Sequence, residues 1–279
     1  MRKIIIVGIG TGNPEHITLQ AINALRTAQV IFISDKGPQK TELGQVRRHL
    51  CDAHLAAGSY RIVEYDMPAR ETHSDDYSGS VTAWHAERAT LYEHLLRKEL
   101  ADGECGAFLV WGDPSLYDSI LRIMATLREH GGIPFEYDVI PGISSAQVLA
   151  ARHRIALNQI AEPVLITTGR RFADSIRQGQ PQQDTLVMLD AHCAFTQLQD
   201  PDAEIYWGAY LGMPDEILLS GKVRDIAPLI QRARSEARAR KGWIMDSYLI
   251  RTTPRPQSHQ TAADGTPTPK HPSTERTEQ

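Results

Sequence analysis

Three glycine-containing turns, each following an apolar segment, constrain the fold of this chain more than any other feature of the sequence. They are GIGTGNP at residues 8–14, GDPSLY at residues 112–117 and PGISS at residues 141–145. Ligand sites in open α/β folds form where strands end and helices begin, because glycine admits close backbone approach and helix N-termini present free N–H groups. Three such turns of different composition predict one composite pocket, built by two parts of the chain.

The composition is that of an ordinary globular protein. Of the 279 residues, 41% are hydrophobic and 23% are charged, which is enough for two lobes with proper cores. The net charge of −4 gives no overall positive field, so we expect neither a nucleic-acid nor a membrane partner. The three cysteines show no C-x-x-C spacing, and the apolar run at the N-terminus is too short for a signal peptide. We therefore expect a cytoplasmic protein without a disulfide framework.

Residues 1–140 are predicted to form an α/β lobe with a largely parallel sheet, because residues 3–7 are β-branched and continuously apolar. Asn13 is a potential N-cap and Pro14 suits the first helical position, so one helix is predicted from there to Ala28. A polar loop is predicted at residues 67–80. The other predicted strands are residues 30–33, 60–65, 107–111 and 135–140, and the other predicted helices are residues 43–56, 81–100 and 119–130.

Residues 141–251 are predicted to form a second α/β lobe, which opens with a helix after the third turn. Short strands joined by brief turns predict a mixed sheet with antiparallel pairs. The predicted strands are residues 164–168, 185–189, 204–210, 216–220 and 243–250, and a long helix is predicted at residues 225–240. Residues 252–279 are rich in Pro, Thr and Ser and lack large apolar side chains, so they are predicted to be a disordered tail.

The first turn also resembles a dinucleotide-binding fingerprint. Gly8, Gly10 and Gly12 follow a strand, and Asp35 ends the next strand, where a ribose-binding carboxylate would lie. Asn13 occupies the position of the last glycine in that pattern. An NAD-dependent oxidoreductase therefore stays open as an alternative, and so does a purely structural turn.

The other two turns have plain structural alternatives as well. Asp113 and Pro114 can hold backbone N–H and C=O groups outward in a fixed array, but an ordinary type I turn has the same composition. Ser144 or Ser145 can contact a ligand, and helix capping alone accounts for one of the two.

Taken together, the three turns resemble those of the tetrapyrrole (corrin/porphyrin) methylase family, and the resemblance covers residues 1–251. Members have a GxGPGD-like turn after the first strand, G-D-P-x-x-Y after a later strand, and P-G-[IV]-[ST]-[SA] at the start of the second domain. In this chain Thr11 replaces the usual Pro of the first turn and Asn13 the usual Asp. The resemblance implies two α/β lobes with a cofactor cleft between them.

The same resemblance implies transfer of a methyl group from S-adenosyl-L-methionine to a small-molecule tetrapyrrole, with S-adenosyl-L-homocysteine as the product. It also implies a homodimer. A methylase of this fold acting on another tetrapyrrole or on RNA stays an alternative, and the acidic pI disfavours RNA. The positions that the resemblance assigns to the cofactor are Thr11, Gly12, Asn13, Pro14, Trp111, Gly112, Asp113, Leu116, Tyr117, Ser144, Ser145, Asp190 and Gly208. Relatives often have Met where this chain has Asp190.

Further segments are similar to a subgroup whose members couple methylation to hydrolytic loss of an acetyl group. They are ISDKG at residues 33–37, VTAWHAERA at residues 81–89, WGDP at residues 111–114 and YWGAYLGMPDEILLSG at residues 206–221. A sulfonium methyl is already activated, so methyl transfer needs alignment above all, whereas acetyl hydrolysis needs a general base and a proton donor. We predict no metal site, because the sequence has no H-x-x-E-H or C-x-x-C motif.

The candidates for acid–base work are polar residues at strand ends and on the predicted helix at residues 81–100. They are Asp35, Lys36, Asp66, His85 and Arg88. The spacing of His85 and Arg88 places both on one helical face. His85 could equally be a surface histidine, and Asp35 with Lys36 could be a solvated ion pair.

The carboxylates of a tetrapyrrole require guanidinium groups around the pocket. The arginines available near loops are Arg70, Arg88, Arg152, Arg154, Arg170 and Arg171. The dense basic stretch at residues 232–241 is predicted instead to be a solvated helix face.

Overall fold

The computed structural model describes residues 1–35, 41–68, 77–180, 183–200 and 202–252. Lys36, Arg70 and the predicted tail beyond Thr252 lie outside these ranges, and the side chain of Asp35 is not described. The strands are β1 (Arg2–Gly8), β2 (Val30–Asp35), β3 (Arg61–Asp66), β4 (Cys105–Val110), β5 (Phe135–Ile140), β6 (Leu165–Thr168), β7 (Thr185–Met188), β8 (Glu204–Ala209), β9 (Ile217–Lys222) and β10 (Asp246–Arg251). The α-helices are α1 (Leu19–Leu25), α2 (Thr41–His54), α3 (Tyr77–Glu99), α4 (Ile120–His130), α5 (Ser145–His153), α6 (Gly169–Arg177) and α7 (Val223–Lys241).

The N-terminal sheet has the order β3-β2-β4-β1-β5, and every neighbouring pair is parallel. Ile4 and Ile6 of β1 pack on one face with α3 and α4, whereas Ile5 and Val7 pack on the other face with α1 and α2. This burial on both faces explains the continuous apolar run in the first strand. Because all the strands are parallel, their carboxyl ends meet at one edge of the sheet.

The second sheet has the order β6-β7-β10-β8-β9. The pair β6–β7 is parallel, and the pairs β7–β10, β10–β8 and β8–β9 are antiparallel. Trp207, Tyr248 and Phe195 are buried in its core, which α6 and α7 help to cover. The predicted α/β class, with a parallel first sheet and a mixed second sheet, is confirmed.

The prediction of one helix from Asn13 to Ala28 is wrong. Asn13 caps only a short 3₁₀ turn, Pro14–His16, and Ile17 is extended with φ −75° and ψ 138°. Thr18 then caps α1, because its hydroxyl oxygen accepts a hydrogen bond from the Ala21 N–H group at 3.0 Å. Thr18 therefore begins a separate helix after the extended Ile17.

The solvated helix face predicted at residues 232–241 is also partly wrong. Arg234 lies mostly buried, and its Nε donates to Asp246 Oδ2 at 2.8 Å. Lys241 is mostly buried too, and its Nζ pairs with Glu42 Oε1 at 2.6 Å and with Asp215. A pattern of charges alone cannot show which of them tertiary partners will bury.

Two further features of the fold differ from the expectations or were not expected. The polar loop predicted at residues 67–80 gives way to α3 from Tyr77, and helix α6 was not predicted at all.

Among the described residues, no helix has the length and apolarity needed to span a bilayer.

Candidate active site

The three predicted turns lie together at the carboxyl edge of the N-terminal sheet. Gly10 and Gly112 form an isolated bridge, in which the Gly10 N–H donates to the Gly112 oxygen at 3.3 Å and the Gly112 N–H donates to the Gly10 oxygen at 2.7 Å. The third turn is attached to the second, because the Gly142 N–H donates to Asp113 Oδ2 at 2.8 Å. The structure thus brings residues 8–14, 112–117 and 141–145 into one cluster.

Glycine is required in this cluster by backbone contact. A Cβ atom on Gly8 would lie 2.6 Å from the Gly142 nitrogen and 2.8 Å from the Gly112 oxygen. A Cβ on Gly142 would overlap the Gly112 carbonyl oxygen, and these neighbours are backbone atoms that cannot move aside. Gly12 and Gly112 have φ of +115° and +68°, which favour glycine for a separate reason.

Asp113 is the polar connection between the second and third turns. Its Oδ1 accepts from the Ser115 N–H at 2.8 Å and from the Ser115 hydroxyl, and its Oδ2 accepts from Gly142. Burial alone would raise the pKa of this carboxyl, but these hydrogen bonds outweigh burial and lower its pKa below 3.8. Leu116 packs against the cluster that contains α5, and Tyr117, with φ +56°, leaves 43% of its surface exposed.

The second lobe covers the first turn. Thr11 is buried, and its Oγ1 lies 3.2 Å from His16 Nδ1. A Cβ on Gly212 would lie 2.6 Å from Thr11 Oγ1, and a Cβ on Gly12 would lie 2.8 Å from Met213 Cγ. Burial lowers the pKa of His16, although Glu216 and Glu15 oppose this effect. Gly212 and Met213 were not predicted as site residues, although both lie in the distinctive segment at residues 206–221.

Trp111 contacts both lobes. It packs against the core of the second lobe and against the core that contains α1 and α2. Its ring atoms lie 3.1 and 3.2 Å from the point that a Cβ on Gly12 would occupy. The aromatic ring therefore closes the cluster beside the first turn.

The two serines of the third turn have different partners. Ser144 caps α5, because its Oγ accepts from the Ala146 N–H at 3.2 Å while Gln147 Oε1 accepts from the Ser144 N–H at 3.0 Å. Ser145 Oγ lies 3.0 Å from Ser247 Oγ of β10. Ser247 pairs in register with Gly208 of β8, so these predicted positions meet across the sheet.

Asp190 is buried, and its carboxylate is occupied by the fold. Its Oδ2 accepts from the Ala194 N–H at 2.7 Å and from the Tyr248 hydroxyl at 2.6 Å, and its Oδ1 accepts from the His192 N–H at 2.9 Å. The neighbouring Leu189 has φ +54° and is 67% exposed. A cofactor contact at Asp190 stays a prediction, and Leu189 is the apolar side chain that this strand end presents outward.

The predicted acid–base residues that the structure describes lie at the ends of β2 and β3 and on helix α3. Asp35 and Asp66 are partners in the β2–β3 register, and Asp66 is exposed. On α3, His85 is half-buried with its ring centroid 5.6 Å from that of Trp84. Arg88 is buried rather than placed on a solvent-exposed rim, and its Nη2 donates to the Tyr92 hydroxyl at 3.0 Å.

The other predicted rim arginines that the structure describes are exposed, namely Arg152, Arg154, Arg170 and Arg171. Arg152 pairs with Glu216. Among the described residues, no group of three His, Cys, Asp or Glu side chains is placed to hold a metal ion.

Solved methyltransferase structures share this two-lobed architecture. Cobalt precorrin-4 methyltransferase, CbiF, matches with a TM-score of 0.61 at 18% identity, over 89% of this chain and 94% of its own. The model of the Tetrapyrrole (Corrin/Porphyrin) Methylases matches residues 3–227, and the chain belongs to that family. The resemblance seen in the three turns is confirmed.

Individual relatives cover nearly the whole chain. The precorrin-6A synthase [deacetylating] of Sinorhizobium sp. is 54% identical over 251 residues, which is 90% of this chain and 95% of the relative. A solved cobalamin synthesis related protein (CobF) from Corynebacterium diphtheriae has a TM-score of 0.75 and 38% identity, covering 90% of this chain and 98% of its own. The cobalt-precorrin-4 C(11)-methyltransferase of Methanocaldococcus jannaschii is 23% identical over 83% of each chain.

Replacing Gly142 with Ala is expected to lower the free energy of unfolding by about 2–3 kcal/mol, because the added methyl group meets backbone atoms of Gly8 and Gly112. Gly131→Ala is the matched control, since Gly131 has φ +64° but open space around its Cβ position, and it should cost about 1 kcal/mol. Urea unfolding measures both. An equal or smaller loss for Gly142→Ala would contradict the close packing of the turns.

Replacing Asp113 with Asn is expected to destabilise the protein by about 1–3 kcal/mol at pH 7, because N–H donors lose a charged acceptor. The lowered pKa means that the carboxylate contribution is complete above 3.8 and is lost as the pH falls through the lower native value. The difference between wild type and variant should therefore shrink as urea unfolding is repeated from pH 7 towards pH 3. A difference independent of pH would show that the Asp113 charge plays no part.

Proposed function

We propose that this protein transfers a methyl group from S-adenosyl-L-methionine to C-1 of precorrin-5 and releases acetate with consumption of water, giving precorrin-6A in aerobic cobalamin biosynthesis. The observation that supports this most strongly is the 54% identity, over 90% of the chain, to a relative named for this product. The joined turns at the carboxyl edge support it independently, because this edge is where open α/β folds bind ligands. We further propose a cytoplasmic homodimer.

The residues present fit an adenosyl cofactor. Gly12 and Gly112 leave backbone without side chains at the edge, while the Trp111 ring offers apolar surface beside Gly12. When bound, S-adenosyl-L-methionine supplies a methyl group that its sulfonium has already activated for transfer. The work of the protein is then positioning, and turns fixed by the Gly10–Gly112 bridge and by Asp113 do not have to reorganise during the reaction.

Release of acetate is the step that needs acid–base groups. The oxygen of water bonds to the acetyl carbonyl carbon, the carbon–carbon bond to the macrocycle breaks, and its electron pair stays with the macrocycle, which is then protonated. We assign His85 as the base that removes the proton of water and Arg88, one turn away on α3, as the cation that stabilises the carbonyl oxygen. Asp35, Lys36 and Asp66 are further candidates for returning the proton.

Incubation with precorrin-5 and methyl-labelled S-adenosyl-L-methionine tests the function. The product mass should show the gain of one labelled methyl group and the loss of one acetyl group, and free acetate should appear in equal amount. Methylation without acetate release would contradict the proposed substrate and its deacetylation. Binding of NAD in place of S-adenosyl-L-methionine would favour the oxidoreductase alternative.

Replacing His85 with Gln should slow acetate release by about 10²–10⁴-fold, the usual contribution of a general base. The affinity for S-adenosyl-L-homocysteine should stay unchanged, so a methylated product that still carries the acetyl group should accumulate in a single turnover. His94→Gln is the matched control, because His94 is an exposed residue of the same helix. Equal acetate release by the two variants would remove His85 from the mechanism.

A further inference from the structure

Two buried arginines approach the carboxyl edge of the N-terminal sheet from opposite faces. Arg47 belongs to α2 and is 5% exposed, and Arg88 belongs to α3 and is 6% exposed. The two helices cover different faces, because Leu50 of α2 packs with one set of strand side chains and Leu96 of α3 with the other. Arg47 was not among the arginines predicted from the sequence.

Neither guanidinium forms an ion pair with a residue that the structure describes. Arg47 donates to two carbonyl oxygens, from Nη1 to Leu43 at 3.0 Å and from Nε to Leu109 at 3.4 Å. Arg88 Nε is buried without any hydrogen-bond partner among those residues. Burial lowers the pKa of Arg47, although Tyr65, Asp118 and Tyr92 oppose this effect. A buried cation without an ion-pair partner is costly, and the two guanidiniums together carry positive charge that no ion pair among the described residues neutralises.

The aromatic rings around the two guanidiniums leave this charge unneutralised. The guanidinium carbon of Arg88 lies 4.6 Å from the Trp84 ring centroid, and that of Arg47 lies 5.8 Å from the Trp111 centroid. Such contacts stabilise a cation and hold it in place, but they supply no negative charge. The Trp111 contact also places Arg47 beside the glycine turns, since the same ring borders Gly12.

A pair of tyrosines lies between Arg88 and the end of β4 that Arg47 reaches. The Tyr65 ring centroid is 6.4 Å from that of Phe108, and the oxygen of the next residue, Leu109, accepts from Arg47. The hydroxyl oxygens of Tyr65 and Tyr92 are 3.2 Å apart, and Arg88 donates to the Tyr92 oxygen at 3.0 Å. With that oxygen accepting from Arg88, the Tyr92 hydrogen can point to Tyr65, which leaves the Tyr65 hydrogen for another acceptor. Burial and Tyr92 raise the pKa of Tyr65 well above 10.0, while Arg88 and Arg47 oppose the rise, so Tyr65 is a neutral hydrogen-bond donor.

We propose that Arg47, Arg88 and Tyr65 form a receptor for one carboxylate, and that Arg47 and Tyr65 are therefore ligand-binding residues. The inference rests on the proposed function, which offers two carboxylates of this kind: an acidic side chain of the macrocycle and the acetate that the reaction releases. A carboxylate accepts hydrogen bonds from guanidinium and phenol donors and neutralises the buried charge. The guanidinium groups that bind the carboxylate are therefore the buried ones of Arg47 and Arg88 rather than those of exposed arginines.

The test compares Arg47→Met with Arg48→Met, its matched control on the same helix, because Arg48 is partly exposed and already pairs with Glu64. Arg47→Met should raise KM for precorrin-5 by at least about tenfold, as expected for the loss of a charged hydrogen bond. Its dissociation constant for S-adenosyl-L-homocysteine should change less than about twofold, and its Tm without ligand should equal or exceed that of wild type, because an unpaired buried charge is removed.

Tyr65→Phe is a second variant, which removes one hydroxyl and should raise KM in the same direction. Sodium acetate, compared with sodium chloride at equal ionic strength, identifies the carboxylate. A rise in Tm of wild type but not of Arg47→Met would point to the released acetate, whereas a change in KM for precorrin-5 alone would point to the macrocycle. Either result supports the receptor.

Three results would overturn the receptor. KM and the acetate response of both Arg47→Met and Tyr65→Phe could lie within twofold of those of Arg48→Met. Arg47→Met could also be markedly less stable with KM unchanged. If wild type fails to convert precorrin-5, the proposed function fails by itself and the macrocycle is removed as the source of the carboxylate. Protection by acetate then decides on the receptor, and in that case its absence in wild type would overturn the receptor.

Discussion

Backbone contact between Gly8, Gly112 and Gly142 is the constraint on which the candidate site depends. The three residues end or follow β1, β4 and β5, which are adjacent in the parallel sheet. Side chains at Gly8 or Gly142 would drive backbone segments apart, so their absence lets three turns share one small volume. The Gly10–Gly112 bridge and the Asp113 carboxylate then fix the spacing between the turns. A ligand at this edge would meet preformed backbone, which reduces the entropy lost on binding.

The second lobe completes the site by covering it. Met213 and Gly212 approach the first turn, and Trp111 packs against the cores on both sides. Lys241 of the second lobe pairs with Glu42 at the start of α2, which ties the helix that carries Arg47 to the second lobe. The second lobe therefore contacts both the first glycine turn and helix α2, which carries Arg47.

Much of the fold followed from local patterns. Continuous apolar runs predicted the buried parallel strands, and brief turns between short strands predicted the mixed sheet. The start of the first helix was mispredicted because Asn13 and Pro14 suit the start of a 3₁₀ turn as well as that of an α-helix. The cap at Thr18 is the local feature that marks where α1 begins. Arg234 and Lys241 of α7 were wrongly predicted to be exposed, because nothing in the local sequence shows which acidic residues pair with them. Arg234 pairs with Asp246, and Lys241 pairs with Glu42 and Asp215.

The sequence by itself determined the family, the α/β class and the turns that form the site, because glycine, proline and capping residues act on the backbone within a few positions. Only the tertiary structure decided which side chains are buried and which hydrogen-bond partners they have. It committed the Asp190 carboxylate to internal hydrogen bonds, and it buried Arg47 and Arg88 on helices that cover opposite faces of the N-terminal sheet. Burial and long-range pairing depend on which elements pack together, and a local pattern does not contain that information.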